Sequence, residues 1–390
     1  MKHTWLVAWI LALLAHSAIA DELKFSNFTK TVTIQSSPDT PYWESGDGQR
    51  FQIASRVIVR ADTDDGLLHH AHPAITQVQP LFLLGETRIY LLHFDVRQAN
   101  LQTVMNALEQ RSDVHWAQPD LLQQRAPAHI RHWEADDGRP APQAIKLNWS
   151  ALQQHNRGQG VSIAIIDDGI DFTHPALQHT QVAFRYDIEQ RQLSASPTLP
   201  TDTHGTQVAG VLFARTKGQN HQGLVPDATL IAIRQPDTWT SNTVLAFHLA
   251  QLAGADIINC SWHSHGLLQP VADAVAALAQ HGRNGLGTAV VFAAGNQGQH
   301  IDATSSEAAI AEAIVVGLDS PHSNFGPSVD LILAAQWISS TTIDGGFAPF
   351  GGTSLASSKA SAALALLLAR NPQQRLPALL NTLKQEVAHD

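Results

Sequence analysis

Short, almost wholly apolar runs alternate with longer helical patterns over residues 161–333 of this 390-residue chain. The first run, residues 161–166, lies between Gly160 and Asp167 and is typical of a parallel strand buried on both faces. Similar runs occupy residues 228–233, 256–260, 288–294, 313–316 and 329–333, with helical patterns at residues 242–252 and 271–280. This alternation predicts an α/β domain, a doubly wound parallel sheet flanked by helices, with ligand sites beyond the carboxyl ends of the strands.

The first 20 residues have a different pattern. Lys2 precedes an apolar run over residues 5–14, and the triplet Ala-Ile-Ala follows at residues 18–20, which is typical of a secretory signal and its cleavage site. The run is shorter than the ~18 apolar residues of a membrane-spanning helix, and no other stretch reaches that length. We therefore predict a signal peptide at residues 1–20 and a secreted or periplasmic protein whose mature form has no membrane span.

Residues 21–140 form a second, smaller unit with a mixed pattern. Strands are predicted at residues 56–60, 88–94 and 114–117, with a helix at residues 101–110. Gln118-Pro119-Asp120 is interpreted as a turn after the last strand, because proline and aspartate favour turns. The pattern indicates a small α+β domain ahead of a larger α/β domain at residues 141–390.

Three well separated segments carry side chains that suit acyl-transfer chemistry: IIDDGID with Asp167, THGTQVAG with His204, and GGTSLASS with Ser354. A serine hydroxyl is a weak nucleophile near neutral pH, so it needs an imidazole to take its proton and a carboxylate to orient that imidazole. Each segment alone also has a structural interpretation, since aspartate, serine and glycine favour turns and helix N-caps. The joint pattern, in the order Asp, His, Ser, indicates a serine hydrolase.

The same segments belong to a longer set of motifs. GQGVSIAIIDDGIDFTHPAL, HGTQVAG, GLVPDATLIAIR, GADIINCSW, VVFAAGNQG and GTSLASSKASAALALLL together resemble the subtilisin-like serine proteases, the subtilases. The resemblance implies a subtilisin-like fold for residues 141–390. It also implies a serine endopeptidase that acts on protein or peptide substrates through Asp167, His204 and Ser354.

The resemblance extends to how such an enzyme is made. It implies that residues 21–140 are a ferredoxin-like propeptide, which assists folding and then inhibits the enzyme with its C-terminal tail at residues 121–142. Self-processing of this precursor would release the mature enzyme. An ordinary linker is the alternative interpretation of the tail, which is rich in Gln, Arg, Pro and His.

Further site residues follow from the resemblance. It implies that Asn296 donates a hydrogen bond to the oxyanion of the tetrahedral intermediate. It also implies two elements of the substrate groove. These are a backbone edge at Ser261, Trp262 and His263, and a pocket lined by Ala293, Ala294 and Gly295 for the side chain that precedes the scissile bond. His263 stands where glycine is common in the family, so we expect a narrower or more polar groove.

Some local features are similar to the kexin-like branch, which cuts after basic residues: Asp168-Gly169, Cys260-Ser261-Trp262 and Gly285-Leu286-Gly287. However, the stretch after Trp262 lacks acidic residues, and after Asn296 only Asp302 is suitably placed. A narrow-specificity kexin-like processing protease therefore stays an alternative. Two others are a catalytically silent subtilase-fold protein that binds peptides, and an esterase with the same triad.

Composition narrows the partners. The formal net charge of −10 offers no basic surface, so we expect no nucleic-acid partner. The single cysteine, Cys260, excludes an internal disulfide and is expected in the core. The resemblance implies no cofactor for the chemistry and leaves a structural calcium ion open. Asp171 matches a calcium ligand of some relatives, but its partner loop at residues 217–223 carries few carboxylates. Both methionines precede residue 110, and Leu355 stands beside Ser354 where relatives commonly have methionine.

Overall fold

The computed structural model of the protein describes residues 22–37, 40–123, 144–216, 221–301 and 306–386. These residues form two units, each built on one large sheet, and the units pack against each other. The predicted signal peptide lies outside the described residues, as does nearly all of the predicted propeptide tail. The proposed boundary near residue 140 lies there too and stays a prediction.

The smaller, N-terminal unit is an antiparallel sheet with two helices. Its elements are β1 (Glu22–Asn27), β2 (Lys30–Ser36), β3 (Trp43–Ser45), β4 (Arg50–Ala61), α1 (Asp65–His69), β5 (Ile75–Leu84), β6 (Thr87–Phe94), α2 (Leu101–Glu109) and β7 (Val114–Gln123). From β4 onward the chain order is βαββαβ, and the strands lie in the spatial order β7-β4-β6-β5. This is the ferredoxin-like arrangement expected from the sequence. Strands β1 to β3, which were not predicted, extend the sheet beside the start of β4.

Alternate side chains of this sheet face opposite layers, as the two-residue period of a strand requires. Val57 and Val59 of β4 join Leu92 of β6 in the core under α1 and α2. Ile58 and Leu91 point the other way and join the core of the larger unit. Both faces of the small sheet are therefore buried.

The turn expected at residues 118–120 is wrong, because these residues lie inside strand β7. Pro119 has no N–H to donate to a strand ladder, and the pairing of β4 with β7 is irregular between Ala54 and Val57, next to the partner of Pro119. Asp120 is fully buried. Tertiary pairing with β4 has overridden the local turn preference of Pro and Asp.

The larger unit is built on a sheet of seven parallel strands. The strands are β8 (Ser162–Asp167), β9 (Val182–Asp187), β10 (Thr229–Arg234), β12 (Ile257–Cys260), β13 (Ala289–Ala293), β14 (Ile314–Leu318) and β15 (Leu331–Leu333). Their spatial order is β15-β14-β13-β12-β8-β10-β9. The winding direction reverses between β8 and β12, and such a reversal opens a crevice at the carboxyl ends of the strands. Cys260 is fully buried at the end of β12, as predicted.

Helices cover both faces of this sheet. One face carries α3 (Trp149–Gln153), α4 (His204–Phe213), α7 (Gly352–Arg370) and α8 (Leu376–Gln385), and the other carries α5 (Thr240–Leu252) and α6 (Gln269–Gly285). The shorter elements are β11 (Thr238–Trp239), a 3-10 helix (Glu307–Ala309), and the hairpin of β16 (Ile338–Thr341) and β17 (Phe347–Phe350). Within the described ranges, α7 is the one helix with the length and apolarity of a membrane span. It is 89% buried over that stretch and forms part of the core.

The two units share an apolar layer and a strand pairing. Trp116 of β7 packs in one cluster with Phe247 of α5 and Leu278 of α6. Strand β11 of the larger unit pairs with the end of β7. Leu268, from the loop before α6, is buried in the core of the N-terminal unit. The N-terminal sheet therefore covers the surface that α5 and α6 would otherwise present to solvent.

Candidate active site

The carboxyl end of β8 brings together the three residues that the sequence singled out. The Oγ of Ser354 lies 3.0 Å from Nε2 of His204, and Nδ1 of His204 lies 2.9 and 3.0 Å from the two carboxylate oxygens of Asp167. The Asp167 side chain is 1% exposed and that of His204 is 21% exposed. Because Nδ1–H donates to the buried carboxylate, the lone pair of the neutral ring is on Nε2 and faces the serine hydroxyl.

Each of the three residues stands at the end of a regular element. Asp167 is the last residue of β8, His204 the first of α4, and Ser354 the third of α7. Position 205 requires glycine, because a Cβ there would lie 2.4 Å from the carbonyl oxygen of Gly169 and 3.0 Å from Cβ of Asp167. This close approach of helix to strand sets the imidazole within reach of the carboxylate.

The Ser354 hydroxyl has a second acceptor, the carbonyl oxygen of Ser261, also at 3.0 Å. One hydroxyl proton can serve only one acceptor at a time, so the hydrogen bonds to Ser261 and to His204 alternate. The backbone N–H of Ser354 lies in the first turn of α7, where N–H groups have no acceptor within the helix. The positive end of the α7 dipole therefore lies where negative charge would develop during attack by Ser354.

Asp168 holds the start of α4. Its carboxylate accepts the N–H of His204 at 3.0 Å and that of Gly205 at 2.7 Å. Burial and the neighbouring Asp167 carboxylate raise the pKa of Asp168 to about 6, against the opposite effects of His204 and the two N–H groups. The Asp168 carboxyl therefore titrates near neutral pH beside the His204 imidazole.

Asn296 is tied to the residue before the serine. Its side-chain oxygen accepts the backbone N–H of Thr353 at 3.0 Å and the Thr353 hydroxyl at 3.1 Å. Because the oxygen faces Thr353, the amide nitrogen, which is the donor, is on the other side of the group. The Thr353 hydroxyl also accepts the N–H of Gly295 at 3.2 Å, so the segment after β13 is joined to the start of α7.

The side chains of Ser261 and Trp262 are buried and anchor the segment after β12. The Ser261 hydroxyl lies 3.0 Å from that of Ser357 on α7 and accepts from Nδ2 of Asn259 at 2.8 Å. The Trp262 indole donates to the carbonyl of Ile166 at 2.7 Å. Any contact of these two residues with a substrate therefore falls to their backbone.

Ala293, Ala294 and Gly295 continue the neighbouring strand. Strands β12 and β13 pair in parallel, so the segments that follow them leave the sheet side by side. Ala294 donates its N–H to Val316 at 3.0 Å, and the Gly295 carbonyl accepts the N–H of Asn324 at 2.8 Å. All six residues expected to form the substrate groove thus lie on two adjacent segments.

The side chain of His263, which belongs to the first of these segments, packs against the second. A Cβ built on Gly295 would be 2.3 Å from Nε2 of His263, which places the ring directly against that glycine. Nδ1 of His263 lies 3.1 Å from the carbonyl oxygen of Ser264, and the residue is 8% exposed. Burial lowers the pKa of His263, so at neutral pH its ring is neutral and donates through Nδ1–H.

Sequence reasoning missed Arg234, which ends β10. Its side chain is 1% exposed and lies 3.1 Å from Asp187, 3.0 Å from Glu189 and 2.9 Å from Asp202. Asp202 comes two residues before His204, so the cluster fixes the loop that leads into α4. The clue in the sequence was a charged residue at the end of the apolar run TLIAIR.

Asp171 has a local role in the structure. One of its carboxylate oxygens accepts the N–H of Thr173 at 2.9 Å and the Thr173 hydroxyl at 2.6 Å. In the part of the chain that the structure describes, no group of three or more His, Cys, Asp or Glu side chains is placed to hold a metal ion. Residues 217–220 of the candidate calcium loop lie outside that part.

Comparison with known proteins identifies the family of the chain. A family profile described as "Subtilase family" matches residues 158–389, more than half of the chain. The chain therefore belongs to the subtilases.

Two curated relatives show how far the similarity extends. A thermophilic serine proteinase of Bacillus sp. is 29% identical over 286 residues, which is 70% of this chain and 67% of that protein. A calcium-dependent protease of Nostoc sp. is 27% identical over 337 residues, which is 72% of this chain and 50% of that protein. The chain thus spans between half and two thirds of their lengths. The family and the name of the first relative support a serine endopeptidase as the class of enzyme.

One solved structure reaches beyond the larger unit. Fervidolysin from Fervidobacterium pennivorans, a keratinolytic enzyme related to subtilisin, has a TM-score of 0.62 at 16% identity and covers 82% of this chain and 55% of its own. At that identity the similarity concerns the fold alone. It agrees with a subtilisin-like α/β sheet preceded by a smaller unit.

Proposed function

We propose that this protein is a serine endopeptidase that cleaves protein or peptide substrates through Asp167, His204 and Ser354. The observation that carries the proposal is the row of hydrogen bonds from hydroxyl to imidazole to buried carboxylate. His204 takes the proton as the Ser354 oxygen attacks the scissile carbonyl carbon, and then gives it to the leaving amine. Asp167 orients the ring and stabilises the imidazolium, and a water molecule then cleaves the acyl-enzyme by the same steps.

In this proposal Asn296 and the backbone N–H of Ser354 stabilise the oxyanion. The contacts of the Asn296 oxygen with Thr353 support this role, because they leave the amide nitrogen as the group that can donate. The first turn of α7 adds the positive end of its dipole. Donors held in place before the reaction favour the charge that develops in the transition state.

The substrate is proposed to bind as an extended strand along residues 261–263, with the pocket at residues 293–295. The buried anchors of Ser261 and Trp262 support this placement, since they hold the segment rigidly and leave recognition to its backbone. The carbonyl of Ser261 lies 3.0 Å from the Ser354 hydroxyl, so the strand would pass directly beside the nucleophile.

The N-terminal unit is proposed to be a propeptide that assists folding and inhibits the enzyme, and that self-processing removes from an exported precursor. Its contacts support an assisting role. Asp120 of β7 accepts the N–H of Ser241 at 3.0 Å and the Ser241 hydroxyl at 2.7 Å, and so caps the first turn of α5. Strand β11 also pairs with the end of β7. The signal peptide at residues 1–20 and the cleavage near residue 140 rest on the sequence pattern.

The chemistry proposed here uses side chains and backbone of this chain. A structural calcium ion is suggested by the name of the Nostoc relative, a calcium-dependent protease. If one is bound, a chelator lowers the thermal unfolding temperature of the purified protein and added Ca²⁺ restores it.

A fluorophosphonate probe tests the nucleophile. We expect it to label the processed wild type and not Ser354→Ala, whereas Ser150→Ala, the same change at an exposed serine of α3, keeps its labelling. Absence of labelling in the processed wild type would favour a silent peptide-binding protein. Unfolded casein then separates the remaining classes: an endopeptidase degrades it, whereas an esterase turns over an ester substrate and leaves casein intact.

A further inference from the structure

The space beside the Ser354 nucleophile is bounded by two chain segments, residues 261–264 after β12 and residues 294–297 after β13. Ser261 touches the nucleophile through its carbonyl, and Gly295 is joined to Thr353 through its N–H. A substrate with its scissile carbonyl at Ser354 therefore directs the preceding side chain into the gap between the two segments. Gly295 has a φ of +103° and no side chain, so this wall of the gap is open unless another residue fills it.

Three side chains do fill it. A Cβ on Gly295 would meet Nε2 of His263 at 2.3 Å, Nδ2 of Asn324 at 2.4 Å and Oε1 of Gln297 at 2.7 Å. Asn324 is fixed in turn, because its Nδ2 also donates to the carbonyl of Ala294 at 2.9 Å. The His263 ring is almost fully buried and held by the Ser264 carbonyl. The space that a large substrate side chain needs is thus occupied by the protein.

We infer that His263 is the specificity-determining residue of this protease, which limits the residue before the scissile bond to glycine, alanine or serine. The inference rests on the proposed function, because it concerns the pocket of the same site. Gln297 and Asn324 contribute, but the His263 ring makes the nearest approach to Gly295 and is the largest of the three side chains.

His263 also lines a larger space. A cavity of about 740 Å³ is lined by His263, Ser264 and Asn324 and, from the N-terminal unit, by Phe25 and Phe51. A glycine at position 263 would remove the ring that lies against Gly295, so it is expected to deepen the pocket beside Ser354.

Specificity for a basic residue has less support. Glu307 is 3% exposed and is the carboxylate whose charge acts on His263. Both of its oxygens accept from Ser264, one from the backbone N–H at 2.7 Å and the other from the hydroxyl. A lysine or arginine side chain would have to displace Ser264 to pair with Glu307. Asp302, the other candidate acid, lies outside the described residues.

The test compares peptide p-nitroanilides that differ only in the residue before the scissile bond: Ala, Leu, Phe or Lys. The full-length chain is expressed and allowed to process itself, and the processed enzyme is purified. Its active sites are counted with the fluorophosphonate probe before kcat/KM is measured. The variants are His263→Gly and, as a matched control, His265→Gly, because His265 is exposed and lies two residues further along the same loop. One misfitted methylene is worth about 10- to 200-fold in kcat/KM.

We expect wild type and His265→Gly to prefer Ala over Leu and Phe by at least about 10-fold. His263→Gly is expected to gain at least about 10-fold on Phe and to change by less than about 3-fold on Ala. Because the glycine variant could fail to fold, the cleavage sites of wild type in unfolded casein are also read by mass spectrometry. Cuts mainly after large apolar or basic residues, or a Phe rate that His263→Gly leaves unchanged, would overturn the inference while the labelled serine stands. Absence of labelling in the processed wild type would instead contradict the proposed function.

Discussion

Replacing Arg234 by methionine should destabilise the larger unit, because two buried carboxylates would lose their cation. Both terminal nitrogens of the guanidinium donate to carboxylates: Nη1 to Asp187 and Glu189, and Nη2 to Asp202. Breaking a buried ion pair by removing one partner costs about 3–5 kcal/mol. Asp187 keeps two backbone N–H donors and so does Asp202, which places the expected loss at the lower end, about 3 kcal/mol. Arg234→Lys should lose part of this stabilisation, because a single ammonium group cannot reach the carboxylates on both sides of the guanidinium.

The loss should depend on pH with a definite sign. Burial would raise the pKa of Asp202, but hydrogen bonds from Arg234 and from two backbone N–H groups outweigh it and lower that pKa. A carboxyl with a lowered native pKa contributes stability above its unfolded pKa of about 4, and that stability is lost as pH falls through the native value. The loss in free energy of unfolding caused by Arg234→Met should therefore be complete at pH 7. It should shrink below about pH 4, as the pH falls through the lowered native pKa of Asp202 and its protonated carboxyl no longer needs the cation.

Calorimetry of these variants in the Ser354→Ala background, which prevents self-digestion, measures the effect. For a unit of this size, about 3 kcal/mol lowers Tm by roughly 6–12 °C at pH 7. The matched control is Arg185→Met, whose guanidinium lies 3.6 Å from the centre of the Phe172 ring and should cost about 1 kcal/mol or less. A shift at position 234 no larger than that of the control, or one that does not shrink as the pH is lowered below about 4, would refute the reasoning.

Three further predictions concern the site. Asn296→Ala should lower kcat about 10²–10³-fold with little change in KM. Asn296→Asp should be as slow, since it keeps the oxygen that Thr353 needs but loses the donor; near-normal turnover of the aspartate variant would mean that the residue only braces α7. Asp168→Asn should shift the acid limb of the kcat/KM profile to lower pH, because a carboxyl with a pKa of about 6 would no longer add negative charge beside the His204 imidazolium; an unchanged limb contradicts this. Processed wild type should survive mild peroxide and Leu355→Met should lose activity, since only the variant carries a methionine beside the serine; equal loss in both would exclude it.

Much of the larger unit could be predicted because six of its seven strands are almost wholly buried. A buried strand must be apolar at every position, so the runs that end at Asp167 and Cys260 are visible in the sequence without knowledge of their neighbours. Strand β9, at the edge of the sheet, has mixed burial and was not predicted. Less of the N-terminal unit could be predicted. Strand β5 has mixed burial, and strands β1 to β3 pair in succession and reach β4 through β3, which no local pattern encodes. Pro119 shows the same limit, since a turn-forming residue was placed in a strand by its partner.

By itself the sequence determined the chemistry that this chain can offer and the order of its strands and helices. A carboxylate, an imidazole and a hydroxyl each stand at the end of an apolar run or before a helix, and these are local properties. Only the tertiary structure decided which side chains meet. The fork of Arg234 on Asp202 and the ring of His263 against Gly295 join segments that are distant in the chain. Such contacts depend on strand order, register and helix packing, which arise from the whole fold and not from any one segment.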